Sequence, residues 1–497
     1  MVAISSLVAV FLYWSYPFGI YRQETPDWEL HLDTSGQDNL TRWIQRETPL
    51  ALNLLLSNIG PPAGAKDGLI IASPSRSEPD YYYTWTRDSA LTISSLLPLF
   101  LPEPYLQPWK YIPLNSSSPA KDPLYEPLIR DYIASQAAIQ DTSNPSGDLW
   151  SGGLSEPKFN TDGTAFTGNW GRPQRDGPAL RALSLIPYAH FLLDRGWPSD
   201  VRYIKDNLYD GSQLRSFGNV IKNDLEEVAH NWPQPGFDLW EEVNGHHLFT
   251  LVMSSRAFEA GSILASRLDD PLAAEYYDAQ VALIDPMLRR FWDPEKGIWR
   301  ATLRQDDRTG LDCAFALTTI WTADRPSDPE ILSTVYQYIK SFQGVYGLNK
   351  QSWVAGWGVG RYKEDVYDGV GKSKGNPWYI CTFSAAHTFY LMVQDFRKAG
   401  QIEVVNITLP FWADVLEGHL DVTVGDKWMK GDDEFQGALD SLRTVGDNFV
   451  EVGRRYAPEG RMSEQFDRTN GSPIGARDLT WSYASFLEMA RARERVV

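Results

Sequence analysis

The sequence predicts an all-α fold: a closed barrel of six helix hairpins, with an inner and an outer ring of helices. Three observations predict it. Helical periodicity dominates the 497 residues. No segment alternates apolar and polar residues with period two over several strands, so no large sheet is expected. Every second helix is preceded by a polar, aromatic-rich stretch that its partner lacks.

Taken in order, the first hairpin joins a helix over 40–59 to one over 89–100, led in by YYYTWTRD (81–88). The second joins 127–140 to 177–195, led in by GNWGRPQRDG (168–177). Here Asp176 caps, Pro178 suits the first turn, Leu180, Leu183 and Ile186 share a face, and Gly196 ends the helix. The third joins 218–231 to 247–267 through FDLWEEVNG (237–245), and the fourth joins 272–291 to 312–322 through RQDDRTGLD (304–312). The fifth joins 329–342 to 377–399 through GRYKEDVYDG (360–369) and GNPW (375–378). The sixth joins 434–457 to 480–494 through SEQFDRTNG (463–471) and ARDLTW (476–481). If the even helices form the inner ring, all six leaders meet at one end of the barrel. Loops on a rigid scaffold are where functional residues concentrate. The stretch 102–126 reads as an irregular excursion.

Composition narrows the chemistry. A net charge of −18 repels phosphate backbones, so nucleic acid is excluded as a partner. The 19 Trp and 24 Tyr fit either a large core or a saccharide cleft. Cys313 and Cys381 sit in apolar stretches and read as buried free thiols. His246-His247 has no third ligand at metal spacing and reads as a helix start, so no metal or cofactor is expected. Residues 1–21 are uncharged and apolar, fitting a signal peptide or an anchor but lacking a basic n-region. With the glycosylation acceptors Asn39, Asn115 and Asn406, they favour the secretory pathway. A monomer is expected.

Asp238-Leu-Trp240-Glu241-Glu242 is the densest acidic cluster beside an aromatic ring. A carboxyl group near an apolar ring is poorly solvated and keeps its proton, as a general acid must. Glu464 supplies a second carboxyl group, brought to the same cavity only by the ring. Two carboxyl groups across one pocket are what glycoside hydrolysis needs. Arg87-Asp88 and Arg361 near Asp365 read either as structural ion pairs or as clamps on sugar hydroxyls. Trp85, Trp170, Trp378 and Trp481 lie in the same loops, and together they point to a saccharide cleft.

At these residues the sequence resembles glycoside hydrolase family 15, the glucoamylases. The segments that carry the resemblance are IASPSRSEPDYYYTWTRDSAL, LSEPKFNTDGTAFTGNWGRPQRDGPALRAL, FDLWEEVNG, VGRYKEDVY with GNPWYIC, and MSEQFDRTNGSPIGARDLTWSY. They run from Gly68 to Tyr483. The resemblance implies an (α/α)6 barrel, in agreement with the six pairs. It implies exo-acting hydrolysis of terminal α-1,4 and, more slowly, α-1,6 bonds of an α-glucan, releasing β-glucose with inversion. By the same resemblance Glu241 is the general acid and Glu464 the base, with Asp238 ranked below it. Glu242 binds sugar on the leaving-group side, and Arg87, Asp88 and Arg361 grip the terminal glucose. Tyr81 and Trp481 border the water. Trp85, Trp170, Trp240 and Trp378 line the cleft, and Asp365 and Tyr367 join the binding set. Many family members add several disulfides, a linker and a starch-binding domain. This sequence, read as one catalytic domain over 25–497, shows none of these, so weak adsorption to raw granules is expected. A trehalase-like exo-glucosidase and a non-catalytic saccharide-binding protein are the alternatives; the presence of both Glu241 and Glu464 speaks against the second.

Overall fold

The computed structural model describes residues 39–114, 118–303, 307–322 and 325–497. The N-terminal apolar segment and Asn115 lie outside the described residues. The compact unit discussed below is Ile44–Val497.

Fourteen α-helices occur among the described residues. They are α1 (Asn39–Leu56), α2 (Thr86–Phe100), α3 (Glu126–Asp141), α4 (Asp176–Arg195), α5 (Pro198–Asn207), α6 (Val220–Asn231) and α7 (Leu248–Arg267). The rest are α8 (Pro271–Leu288), α9 (Cys313–Thr322), α10 (Pro329–Lys340), α11 (Tyr379–Ala399), α12 (Leu409–Val415), α13 (Asp433–Tyr456) and α14 (Thr480–Glu494). All twelve expected helices are present. The helices α5 and α12 were not expected: α12 has only seven residues, and α5 follows α4 across Gly196 and Trp197 alone.

The inner ring is α2, α4, α7, α9, α11 and α14. Each packs on the next, and α14 closes against α2. An inner helix has neighbours all round, so it is apolar or small on every face. In α4, Ala179, Leu180, Ala182, Leu185, Ile186 and Ala189 are all fully buried. An outer helix is amphipathic instead. In α13, Phe435, Ala438, Leu439, Leu442, Val445, Phe449 and Val450 face inward at helical spacing. Gly446 and Gly453 let α13 settle on α11, since a Cβ there would come within 2.7 Å of the Tyr390 ring and 2.4 Å of the Phe383 ring. Gly196 ends α4 with φ +69°, its N–H donating to Leu192 O, as the sequence predicts.

The largest buried cation of the inner ring is paired. Arg181 of α4 donates through Nε and NH2 to Asp224 of α6, at 2.8 and 2.7 Å. Cys313 and Cys381 are free and buried on the neighbouring helices α9 and α11. The described residues of the excursion 102–126 contain three 3-10 turns, and its Tyr105 and Tyr111 both donate to Asp194 of α4. The only sheets among the described residues are five two-stranded ribbons. Three of them fix the loops at the inner-helix entrances.

Candidate active site

The α2 helix begins at Thr86, three residues before its expected start, so Arg87 and Asp88 lie in its first turn. The ribbon that pairs Thr84 with Phe159 and Trp85 with Lys158 holds the preceding segment. The indole Nε1 of Trp85 donates to Glu241 Oε1 at 2.7 Å, and Gln174 Nε2 donates to the same oxygen at 2.9 Å. Arg87 NH2 stands 3.6 Å from it. Among the described residues Oε2 of Glu241 takes no hydrogen bond, so that oxygen is the one able to present a proton to a ligand.

Glu241 adopts φ +67°, rare for a residue with a side chain. Asp238 explains how it is held. Its Oδ1 accepts the backbone N–H groups of Glu242 at 2.7 Å and Val243 at 2.9 Å, and its carbonyl accepts from Glu241 N–H at 2.9 Å. The ribbon Gly236–Phe237 with Asn244–Gly245 closes the loop. His247, at the start of α7, ties that ribbon down: Nε2 lies 3.0 Å from Gly236 O and Nδ1 lies 2.9 Å from Thr302 Oγ1. The structure thus spends Asp238 on shaping the turn.

Trp240 and Glu242 depart from the expected arrangement, in which they flank the Glu241 carboxyl. Trp240 turns away and donates to buried Asp312 at 2.9 Å, and its ring stacks with Trp481 at 6.4 Å. Glu242 is neutralised by its own partners. Its Oε1 accepts from Arg361 NH2 at 2.9 Å, and its Oε2 accepts from Arg308 NH2 at 2.8 Å and from the Tyr362 hydroxyl. Burial opposes ionisation, but Arg361, Tyr362 and Arg308 outweigh it and hold Glu242 below the usual carboxylate range.

Arg361 is surrounded by four rings, Trp378, Tyr367, Tyr362 and Trp240, at 5.2 to 5.5 Å. Its Nε and NH2 donate to Asp365 at 2.8 and 2.6 Å. Arg87 NH1 donates to Gln174 at 2.7 Å and to Asp176 at 3.2 Å. Burial pushes Asp88 up to about 6, with the Arg87 charge opposing.

Glu464 is 1% exposed. It precedes the ribbon that pairs Gln465 with Ile474 and Phe466 with Pro473. Gly475, at φ +72°, leaves room for its carboxyl: a Cβ there would lie 2.5 Å from Glu464 Oε2. As a base, Glu464 would have to be ionised. Burial instead pushes it up to about 8, opposed by hydrogen bonds from Tyr81, Tyr367 and Gln465 and by the Arg361 charge. The Tyr81 and Tyr367 hydroxyls stand 3.0 Å apart. Tyr81 packs on Trp85, the donor to Glu241, with ring centroids 5.6 Å apart, and burial and the Glu464 charge push its phenol well above the usual range.

All six loops therefore converge. Sequence reasoning missed Gln174, Asp176, Arg308, Asp312 and Tyr362. Each lies in one of the quoted leaders, but a single polar residue there carries no signal until its partner is known. A cavity of about 300 Å³ lined by Lys66, Ser135, Thr142, Asp162 and Thr164 lies elsewhere. The hydroxyls of Ser135, Thr142 and Thr164 are spent on their own backbone or on Asp162. Among the described residues no three His, Cys, Asp or Glu side chains converge as metal ligands.

The family model for glycosyl hydrolases family 15 matches residues 49–491. A probable glucoamylase of Schizosaccharomyces pombe is 36% identical over 93% of this chain and 94% of its own length. The glucoamylase of Blastobotrys adeninivorans is 36% identical over 92% of this chain and 73% of its own. Among solved structures, the family 15 glucoamylase of Hypocrea jecorina superposes with TM-score 0.79 at 36% identity, covering 92% of this chain and 73% of that one. The glucoamylase of Saccharomycopsis fibuligera does so with TM-score 0.79 at 32% identity, covering 92% and 96%.

Proposed function

Since the chain belongs to glycosyl hydrolases family 15, we propose that Glu241 and Glu464 are the acid and base of its reaction. The enzyme is a glycoside hydrolase, a glucan 1,4-α-glucosidase acting on starch-like α-glucans. Glu241 gives the proton on Oε2 to the glycosidic oxygen as the bond to the terminal glucose breaks. Glu464 takes a proton from the water that attacks the opposite face of the anomeric carbon. One displacement inverts the configuration and releases β-glucose. Arg87, Asp88 and Arg361 hold the terminal glucose, and Trp85, Trp170, Trp240, Trp378 and Trp481 form the apolar walls. Tyr81, Tyr367 and Asp365 set the groups around the water, and Glu242 meets the sugar on the leaving side. Asp238 holds the turn.

The observation that supports this most is the link between two loops far apart in sequence: Arg361 donates to Glu242, beside Glu241, and packs on Trp378, whose backbone pairs with Gln465, beside Glu464. Inversion needs the two carboxyl groups roughly 6.5–9.5 Å apart. NMR of the first-formed sugar tests it: β-glucose is expected, and α-glucose overturns the mechanism. Glu241→Gln and Glu464→Gln each lose on the order of 10²–10⁴-fold in kcat with substrate still bound.

A monomer is proposed, and light scattering of the purified protein tests it. Asn39 and Asn406 are exposed, which supports passage through the secretory pathway. Unmodified asparagines and an intact Met1 in the mass spectrum of the native protein would overturn that. Among the described residues no helix is long and apolar enough to cross a membrane.

A further inference from the structure

Lys158 has no role in the reaction as derived above, yet it is placed like a working part. It is 2% exposed and lies directly across the ribbon from Trp85. Its ammonium sits over four rings: Trp170 at 3.6 Å, Tyr83 at 4.0 Å, Phe166 at 4.3 Å and Trp85 at 4.7 Å. Among the described residues no carboxylate stands within ion-pair distance of it. The neighbouring acid that could have paired with it, Glu156, is taken by Arg172, whose Nε donates to both of its oxygens at 3.0 Å. A buried lysine normally finds a counter-ion, because desolvating an unpaired charge is costly. Here the π faces take that place.

The box reaches the proposed acid through Trp85, and its Trp170 is also part of the cleft wall. Trp85 touches Lys158 with its face and Glu241 with its edge. A cation on the indole face draws π density and strengthens the N–H donor at the ring edge. The charges that face Lys158 are Glu241, Asp80 and Arg172. Those that face Glu241 are Arg87, Asp88 and Lys158. Burial pulls the Lys158 ammonium down to about 8 while Glu241 and Asp80 hold it up, so it is charged in acidic and neutral solution.

We propose that Lys158 is a positioning residue for the proton donor: boxed by four rings, it fixes Trp85 against Glu241 and supplies a standing positive charge to the carboxylate that Glu241 becomes on giving up its proton. Such preorganised charge acts where charge develops in the transition state. The inference rests on Glu241 being the acid.

The test compares Lys158→Met, which keeps the bulk, with Lys158→Arg, which keeps the charge, in the full chain on maltotetraose. For Lys158→Met, kcat falls about 10-fold and KM changes less than about 3-fold, since the lost interaction belongs to the transition state. The alkaline limb of the kcat–pH profile moves up by about half a pH unit, because an acid beside one fewer positive charge holds its proton longer. Lys158→Arg returns the limb toward its wild-type position. A purely structural lysine would lower the melting temperature and leave the limb in place, and an unmoved limb in folded Lys158→Met overturns the proposal. So does a limb in Lys158→Arg that coincides with that of Lys158→Met. If Lys158→Met does not fold, Lys158→Gln carries the same comparison. Glu241→Gln separates the two readings. Full activity there overturns the acid assignment itself, whereas an inactive Glu241→Gln beside a wild-type-like Lys158→Met overturns only the role of the lysine.

Discussion

Removing the Tyr81 hydroxyl moves the acidic limb of activity to higher pH. Glu464 must be ionised to accept a proton from water, and its surroundings pull two ways. Burial pushes its carboxyl up to about 8, and the hydrogen bond from Tyr81 is foremost among the influences that oppose it. Burial and the Glu464 charge drive the Tyr81 phenol well above its usual range, so it keeps its proton and remains a donor. A hydrogen bond to an ionised group contributes about 1.5–3 kcal/mol, which corresponds to about one to two pH units. Tyr81→Phe leaves the hydrogen bonds from Tyr367 and Gln465 in place and shifts the limb by about one unit, the lower end of that range. At a pH below the limb, kcat falls about 10-fold for the same reason. The Tyr367 hydroxyl also reaches the Gly369 carbonyl at 3.0 Å, and this acceptor competes for its proton. Tyr367→Phe therefore moves the limb less than Tyr81→Phe. The assay is kcat on maltotetraose across pH, with circular dichroism to confirm folding. An acidic limb that stays put or moves down while kcat falls would refute this account of Glu464.

Three further outcomes follow from particular contacts. Asp238→Asn keeps an oxygen for the Glu242 and Val243 N–H groups and loses less than about 10-fold in kcat, while Asp238→Ala frees the turn and costs about 1–3 kcal/mol in denaturant unfolding; a complete loss in the Asn variant would return Asp238 to candidacy as base. Gly475→Val places a side chain against Glu464 Oε2 at φ +72° and lowers kcat on the order of 10²-fold, and wild-type kinetics would show that the carboxyl is held otherwise. Glu126 accepts from Arg195, Tyr188 and Arg130, and against its burial these hold it at about 2. Its contribution to stability is complete above the unfolded carboxyl range and is lost as pH falls toward about 2, so the gap in melting temperature between wild type and Glu126→Gln is widest near neutrality and closes in acid; a gap that does not change with pH would contradict this.

The ring was legible in the sequence because its signal is periodic and repeated. The twelve long helices carry an apolar stripe or an apolar surface, and six of them announce their entrances with aromatic and charged leaders. Glu241 stood out because acids beside Trp in an entrance loop are uncommon, whereas Glu464 gained weight only because the ring brings its loop to the same cavity. The partner of each group was not legible. The sequence places Trp240 next to Glu241, yet backbone direction sends that indole to Asp312 and brings Trp85, 156 residues away in sequence, to the carboxyl instead. Lys158 was hidden for the same reason, since Tyr83 and Trp85 come from one stretch of the chain and Phe166 and Trp170 from another.

The precision of the site comes from features too small to leave a pattern. Glu241, Glu464 and Trp85 all sit on loops, and loops alone hold a side chain poorly. Each lies in or beside a two-residue ribbon: Trp85 within the pair to Lys158, Glu241 inside the turn between Phe237 and Asn244, and Glu464 next to Gln465. Two residues show no alternation, so no reading of periodicity finds such a ribbon. The ribbons set the loop backbones, and buried polar contacts then set the side chains: Asp238 on the turn, Trp85 and Gln174 on Glu241, Arg361 on Glu242. A catalytic group misplaced by about 1 Å loses on the order of 10²-fold in rate. The barrel brings the loops to one end, but the ribbons and their hydrogen bonds carry the ångström-scale placement. Asp238→Ala, Gly475→Val and Lys158→Met are therefore expected to lower activity more than conservative changes in the much larger helical core, and equal losses from core variants would contradict this.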